Sequence, residues 1–124
     1  MEWTITQQGT PALVTVRVSG RFTLEDCRSA VEEIVRIKDP LVPLLFDDRQ
    51  VDFRDIDTDA MLALNTILAE NAGTFAYSKM AVLVGSESDR EMAEPWGRLA
   101  KSSSRANVAV FTSEPEALAW LAAR

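Results

Sequence analysis

The chain has 124 residues, of which 47% are hydrophobic and 26% are charged, the balance of a folded globular protein rather than a disordered one. A formal net charge of -6 leaves no concentrated basic surface, so nucleic acid and anionic membranes are not expected as partners. The chain has no histidine and a single cysteine. It has no apolar run long enough for a membrane span, and its first residues do not show the basic and then apolar segments of a signal peptide. We therefore expect a cytoplasmic protein.

The first forty residues predict a β-hairpin followed by an amphipathic helix. Apolar and polar residues alternate in 3–7 and again in 13–18, and Gly9-Thr10-Pro11 between them is typical of a tight turn. Thr23 is suited to cap the helix, which Asp39-Pro40 ends near Lys38. The apolar stripe of this helix is formed by Leu24, Cys27, Val31 and Ile34, which makes Cys27 a small buried hydrophobic residue.

The rest of the chain predicts three strand-helix pairs. Apolar runs at 41–46, 80–84 and 108–111 are short enough for strands covered on both faces. We expect Gly73 to end the second helix as a left-handed residue, Pro95 to end, kink or restart the third, and 101–105 to form a solvated connection. The expected helix caps are Asp57 or Thr58, then Ser86 or Ser88, and finally Ser113, paired with Glu116 in a capping box.

The resulting order is β-β-α-β-α-β-α-β-α, which predicts a single α/β domain over residues 1–124. Repeated strand-helix-strand passages require right-handed crossovers and therefore parallel strands, whereas the opening hairpin is antiparallel. The prediction is a mixed, mostly parallel five-stranded sheet with about four helices.

This element order and two strings resemble the STAS domain and, more closely, its SpoIIAA-like branch of small stand-alone proteins. The closing string NVAVFTSEPEALAWLAAR, from Asn107, looks like the last strand, acidic turn and last helix of that branch. The second string is FDDRQVDFRDIDTDA, from Phe46. The resemblance covers nearly the whole chain and implies the fold just described.

STAS proteins that act as anti-sigma factor antagonists carry an Asp-Ser-Ser-Gly-like sequence at a helix start, where a partner kinase phosphorylates a serine. The matching residues here are Asp57, Thr58, Asp59 and Ala60. The serine position holds Asp59, which either mimics a phosphorylated charge or simply stabilises the helix N-terminus. Thr58 is either a phosphate acceptor itself or a helix cap.

The resemblance, together with the lack of histidine, paired cysteines and nucleotide motifs, implies a regulatory or protein-interaction domain that is not an enzyme and needs no cofactor. We expect the segment 47–59 and the following helix to face a protein partner, such as an anti-sigma factor or kinase-like protein, and the chain to form a homodimer. The predicted partner-binding or regulatory residues are Asp55, Asp57, Thr58 and Asp59.

Two alternatives stay open. Large apolar residues beside the proline-interrupted helix suggest a carrier of a small apolar, lipid-like ligand, with a pocket at Phe75, Met92, Trp96 and Leu99. The six aspartates between 47 and 59 suggest a metal-dependent hydrolase, because carboxylates bind Mg²⁺. However, the acids do not have the spacing found in dehalogenase-like phosphatases. The chain also lacks part of the residue set of receiver domains.

Overall fold

The computed structural model describes residues 1–123, apart from the side chain of Gln8. Its five strands form one sheet in sequence order, with an antiparallel first pair and parallel pairs thereafter, which confirms the predicted mixed sheet. The strands are β1 (Glu2–Gln8), β2 (Leu13–Arg21), β3 (Leu44–Asp52), β4 (Lys79–Leu83) and β5 (Asn107–Phe111).

Most helices begin at the predicted caps. Thr23, Asp57, Ser86 and Ser113 each accept a hydrogen bond from the backbone N–H three residues later, which satisfies one of the free donors of a helix start. The helices described are α1 (Leu24–Ile37), α2 (Thr58–Glu70), α3 (Ala72–Phe75), α4 (Glu87–Ser104) and α5 (Glu114–Ala122).

The short helix α3 was not predicted and makes the expectation of about four helices slightly too low. Gly73 lies inside α3 rather than in a left-handed position at the end of α2, so that expectation is wrong. The exit residue is Asn71, whose side-chain amide donates to the carbonyl of Ile67 at 2.8 Å. This bond satisfies one of the free carbonyls at the end of α2 and allows the chain to turn at once into α3.

Pro95 neither ends nor restarts α4, which is helical from Glu87 to Ser104 and includes most of the predicted connection at 101–105. The buried face of α4 packs on β5, and a Cβ added at Gly97 would lie 3.4 Å from Cγ1 of Val108. A proline inside a helix costs about 3 kcal/mol. Because packing on the sheet outweighs this cost, the helix continues to the left-handed residue Arg105.

Strand β3 starts later and ends later than predicted, because it begins after Pro43 and includes Asp47 to Asp52, which the sequence suggested to be loop. Arg17 of β2 pairs with Asp47 and Ser19 pairs with Gln50, so Asp48 and Arg49 together oppose Val18. This extra residue is a β-bulge, a feature that often redirects side chains beside functional sites.

Two apolar cores lie on the two faces of the sheet. The larger core joins the sheet to α1, α2 and α4, and the smaller joins it to α5. Leu44 belongs to the larger core and Leu45 to the smaller, as expected for alternate residues of a strand. The same alternation turns Asp47 towards α5 and Asp48 towards the larger core.

Candidate functional site

An apolar cavity of about 110 Å³ lies within the larger core, between the sheet and helices α1, α2 and α4. Each of these helices supplies three lining residues, and strands β2, β3 and β4 supply the sheet side. Val51, Phe53 and Ile56, from the end of β3 and the loop after it, also line the cavity. The cavity thus extends towards the carboxyl end of a parallel strand, where open α/β sheets bind ligands.

Asp48 is the one carboxyl-bearing residue in the described lining of this cavity. Its carboxyl group has no hydrogen-bond or ion-pair partner among the side chains that the structure describes, although the residue is only partly exposed. Burial, with a smaller contribution from the negative charge of Asp47, raises the pKa of Asp48 to about 7. Near neutral pH this carboxyl group is therefore close to half protonated.

Asp47 lies on the other face of the sheet in a different electrostatic environment. Its two carboxylate oxygens accept hydrogen bonds from Nε and Nη2 of Arg49 at 2.8 and 2.7 Å. These bonds hold the pKa of Asp47 below its ordinary value, although burial acts in the opposite direction. Arg49 also contacts Glu114 at the start of α5, so this ion-pair network ties β3 to α5.

Cys27 and Trp96 are the other polar features of the lining. Burial raises the pKa of the Cys27 thiol to about 12, with a further contribution from the charge of Asp48. The thiol is therefore protonated at physiological pH and is a poor nucleophile. Trp96 Nε1 is buried and has no acceptor among the described residues. The cavity thus combines apolar walls with unpaired polar groups, which suits binding of a ligand better than covalent catalysis.

The predicted pocket residues divide into two pairs. Met92 and Trp96 line the cavity. Phe75 is 1% exposed and belongs to the packed core, whereas Leu99 is 38% exposed on α4. Neither of these two lines the cavity. Helix α3 fixes Phe75 beneath the ammonium group of Lys38, whose Nζ lies 6.0 Å from the ring centroid.

The predicted partner-binding residues lie together at the start of α2, but two of them have structural roles. Asp57 accepts a hydrogen bond from the Ala60 N–H at 2.8 Å and caps the helix. Asp55 forms an ion pair with Arg21. Thr58 and Asp59 are exposed in the first turn of α2. These four residues form a separate surface from the cavity lining, although Ile56 between them faces the cavity.

The acidic segment does not gather its carboxylates in one place. Asp47, Asp52 and Asp55 pair with Arg49, Arg54 and Arg21, respectively. Within residues 1–123, no group of three or more acidic, cysteine or histidine side chains is placed to hold a metal ion. The arrangement expected for a metal-dependent hydrolase is therefore not found in the described part of the chain.

The sequence placed Asp48 in the segment 47–59 that we expected to face a protein partner, whereas its side chain lines the cavity. The alternation of side chains along a strand indicates where Asp48 lies, because Leu44, Phe46 and Asp48 share one face of β3. Continuing the period of two beyond Phe46 would have placed Asp48 in the larger core. Cys27 was placed correctly on the inner face of α1, but its position in a cavity wall was not foreseen.

Helices α1, α2 and α4 on one face of a mostly parallel sheet, with α5 on the other, form a STAS-type α/β fold. The chain belongs to the SpoIIAA-like family, whose model matches residues 13–122. No protein with a curated description matches significantly. Among the solved structures that match is an uncharacterised DUF3478-family protein with a SpoIIAA-like fold from Shewanella loihica PV-4. It is 18% identical with a TM-score of 0.63, over 97% of this chain and 92% of that one.

A further property concerns the helices. None of those described in residues 1–123 is both long and apolar enough to cross a membrane.

Proposed function

We propose that this SpoIIAA-like protein is a non-enzymatic binding domain that holds a small, largely apolar ligand in the cavity under α1, α2 and α4. The observation that carries this proposal is the cavity itself, about 110 Å³ in volume and walled mainly by apolar side chains. Exposing apolar walls to water in such a partly open space costs about 25 cal/mol for each Å² of apolar surface. A bound ligand would recover that free energy.

The volume sets the size of the ligand. An engineered apolar cavity of about 150 Å³ binds benzene, and the space here is about 110 Å³. A single ring or a short aliphatic chain therefore matches the cavity, whereas a long acyl chain does not. Small apolar metabolites are better candidates than lipids.

The four methionines provide a direct test, because Met1, Met61, Met80 and Met92 all line the cavity. Methyl NMR of methionine-labelled protein should show toluene-dependent shifts of these signals. Ala93 lies in the wall and is 7% exposed, so Ala93→Leu should fill the space and abolish the shifts. The matched control is Ala69→Leu on the exposed face of α2. Absence of shifts at saturating toluene, or equal shifts in both variants, would contradict the proposal.

A second candidate function is docking of a protein partner on the surface formed by Asp55, Asp59 and Leu62. Leu62 is 49% exposed on α2, and the segment Thr58–Glu70 contains no basic residue. An exposed apolar side chain close to Asp59, which forms no ion pair within the described residues, fits a partner that presents basic and apolar side chains, although Asp55 is already paired with Arg21. Such a partner is the kind expected for an anti-sigma factor antagonist.

The partner hypothesis and the homodimer hypothesis need separate measurements. Sedimentation velocity of the purified chain reports self-association. For a heterologous partner, binding of a purified anti-sigma factor or kinase-like protein encoded beside this gene should weaken in Leu62→Lys and Asp59→Lys. The control is Glu116→Lys on α5, away from this surface. Equal binding by all three variants would contradict docking on α2.

A further inference from the structure

The described lining of the cavity includes an acidic side chain but no basic side chain to pair with it. Asp48 lines the cavity, and no lysine or arginine is among the lining residues that the structure describes. The carboxylate has no hydrogen-bond donor of its own within residues 1–123, in contrast to Asp47 with its two bonds from Arg49. An unpaired carboxylate in an apolar site is unfavourable unless it is protonated or meets a cation.

The neighbouring elements do not supply a counter-charge to Asp48. From α1, Cys27 presents a protonated thiol. The amino group of Met1 is engaged with Asp26 at 3.1 Å. The wall residues of α2 are Met61, Leu64 and Leu68, and those of α4 are Met92, Ala93 and Trp96. None of these side chains carries a charge, so among the described residues nothing supplies a positive charge beside Asp48, and the ligand would have to supply it.

The remaining walls also favour a cation over an anion. Phe22, Phe46, Phe53 and Trp96 line the same cavity, and aromatic faces attract cations while offering apolar surface to the rest of the ligand. An anionic head group would instead meet the negative charge of Asp48 without a basic residue to offset it. A neutral ligand would leave Asp48 protonated or unpaired.

We propose that the ligand is a small hydrophobic amine, whose ammonium group pairs with the carboxylate of Asp48 while its ring or short chain fills the apolar part of the cavity. This inference rests on the proposed binding function and specifies its chemistry. The raised pKa of Asp48, about 7, adds a pH dependence. Since the amine needs the ionised carboxylate, its affinity should fall about tenfold between pH 8 and pH 6.

The test compares three ligands of similar shape and different charge: cyclohexylamine, cyclohexanol and cyclohexanecarboxylate. Their affinities are measured at pH 8 by titration of the methionine methyl signals. We expect the amine to bind at least tenfold more tightly than the alcohol, with the carboxylate weakest. Asp48→Asn should weaken the amine at least tenfold and leave the alcohol within about twofold. The control Asp47→Asn, on the other face of the sheet, should keep the preference for the amine.

The outcomes separate this inference from the function on which it rests. If the alcohol binds as tightly as the amine, or if Asp48→Asn keeps the amine preference, the amine assignment is wrong and the binding function stands. If none of the three ligands, nor toluene, shifts the methionine methyl signals, the binding function itself is wrong. The pH dependence in the unmodified protein is an independent check that needs no variant.

Discussion

Asp47 and Asp48 are consecutive in β3, yet their carboxyl groups lie on opposite faces of the sheet and their pKa values shift in opposite directions. Asp47 is held ionised by two hydrogen bonds from Arg49. Asp48 lies in an apolar cavity, where burial raises its pKa to about 7. Asp47 therefore has a structural role, whereas Asp48 is unpaired in the wall of the site that we propose for the ligand.

Asp48→Asn should stabilise the protein at pH 8. The folded pKa, about 7, lies above the ordinary value of 3.8, so the unfolded chain loses this proton first and stability falls as pH rises between those values. The loss is up to about 1.4 kcal/mol per pH unit. We expect the variant to gain about 1–3 kcal/mol at pH 8 and almost nothing at pH 4. Urea unfolding at the two pH values measures this difference.

Asp47→Asn is the opposite case and serves as the control. Because the pKa of Asp47 is lowered in the folded state, its contribution is present above pH 3.8 and is lost as pH falls through the lowered value. We expect a loss of about 1 kcal/mol at pH 7, since Arg49 is partly exposed and solvent screens the pair. If Asp47→Asn and Asp48→Asn changed stability in the same direction at pH 8, the assignment of the two environments would be incorrect.

Cys27 should resist alkylation in the folded protein. With a thiol pKa of about 12, the thiolate population at pH 8 is on the order of a thousandfold lower than for an unperturbed cysteine. Iodoacetamide should therefore label the folded chain far more slowly than the chain in 8 M urea. Since Cys27 is the single cysteine, mass spectrometry of the intact protein reports this site directly. Similar rates in the two states would show that the thiol is neither buried nor desolvated.

Asp57 should act on stability through capping rather than through its charge. Asp57→Ala removes the hydrogen bond to the Ala60 N–H and should cost about 1 kcal/mol, whereas Asp57→Ser retains a capping oxygen and should cost less than half of that. Thermal unfolding of both variants decides the matter. Thr58→Ala, which removes an exposed hydroxyl beside the cap, is the control and should be nearly neutral. Equal losses in Asp57→Ala and Asp57→Ser would indicate that charge dominates.

Phe75 should behave as a core residue and not as a ligand contact. It is 1% exposed and packed in the larger core, so Phe75→Ala should cost about 3–5 kcal/mol. Leu99→Ala, at a position 38% exposed, should cost less than about 1 kcal/mol. The milder Phe75→Leu should lower stability and leave toluene affinity unchanged. A selective loss of toluene affinity in Phe75→Leu would show that Phe75 contacts the ligand.

Local sequence signals were sufficient where the physical cause is local. The caps Thr23, Ser86 and Ser113 follow from side chains that bond to the backbone three residues away. The short apolar runs that became β4 and β5 are typical of strands covered on both faces. These features, with the strand-helix alternation, determine the mostly parallel sheet.

Tertiary packing decided the rest. Contact with β5 keeps α4 helical through Pro95, and pairing with β2 extends β3 through the acids that otherwise resemble a loop. The cavity is the gap left where three helices meet a bulged strand, so it depends on contacts between residues far apart in the chain. The chain by itself determined the order of the strands, most helix starts and the net charge of -6. The fold decided that Asp48 lies in an apolar wall, because desolvation depends on what surrounds a group in space.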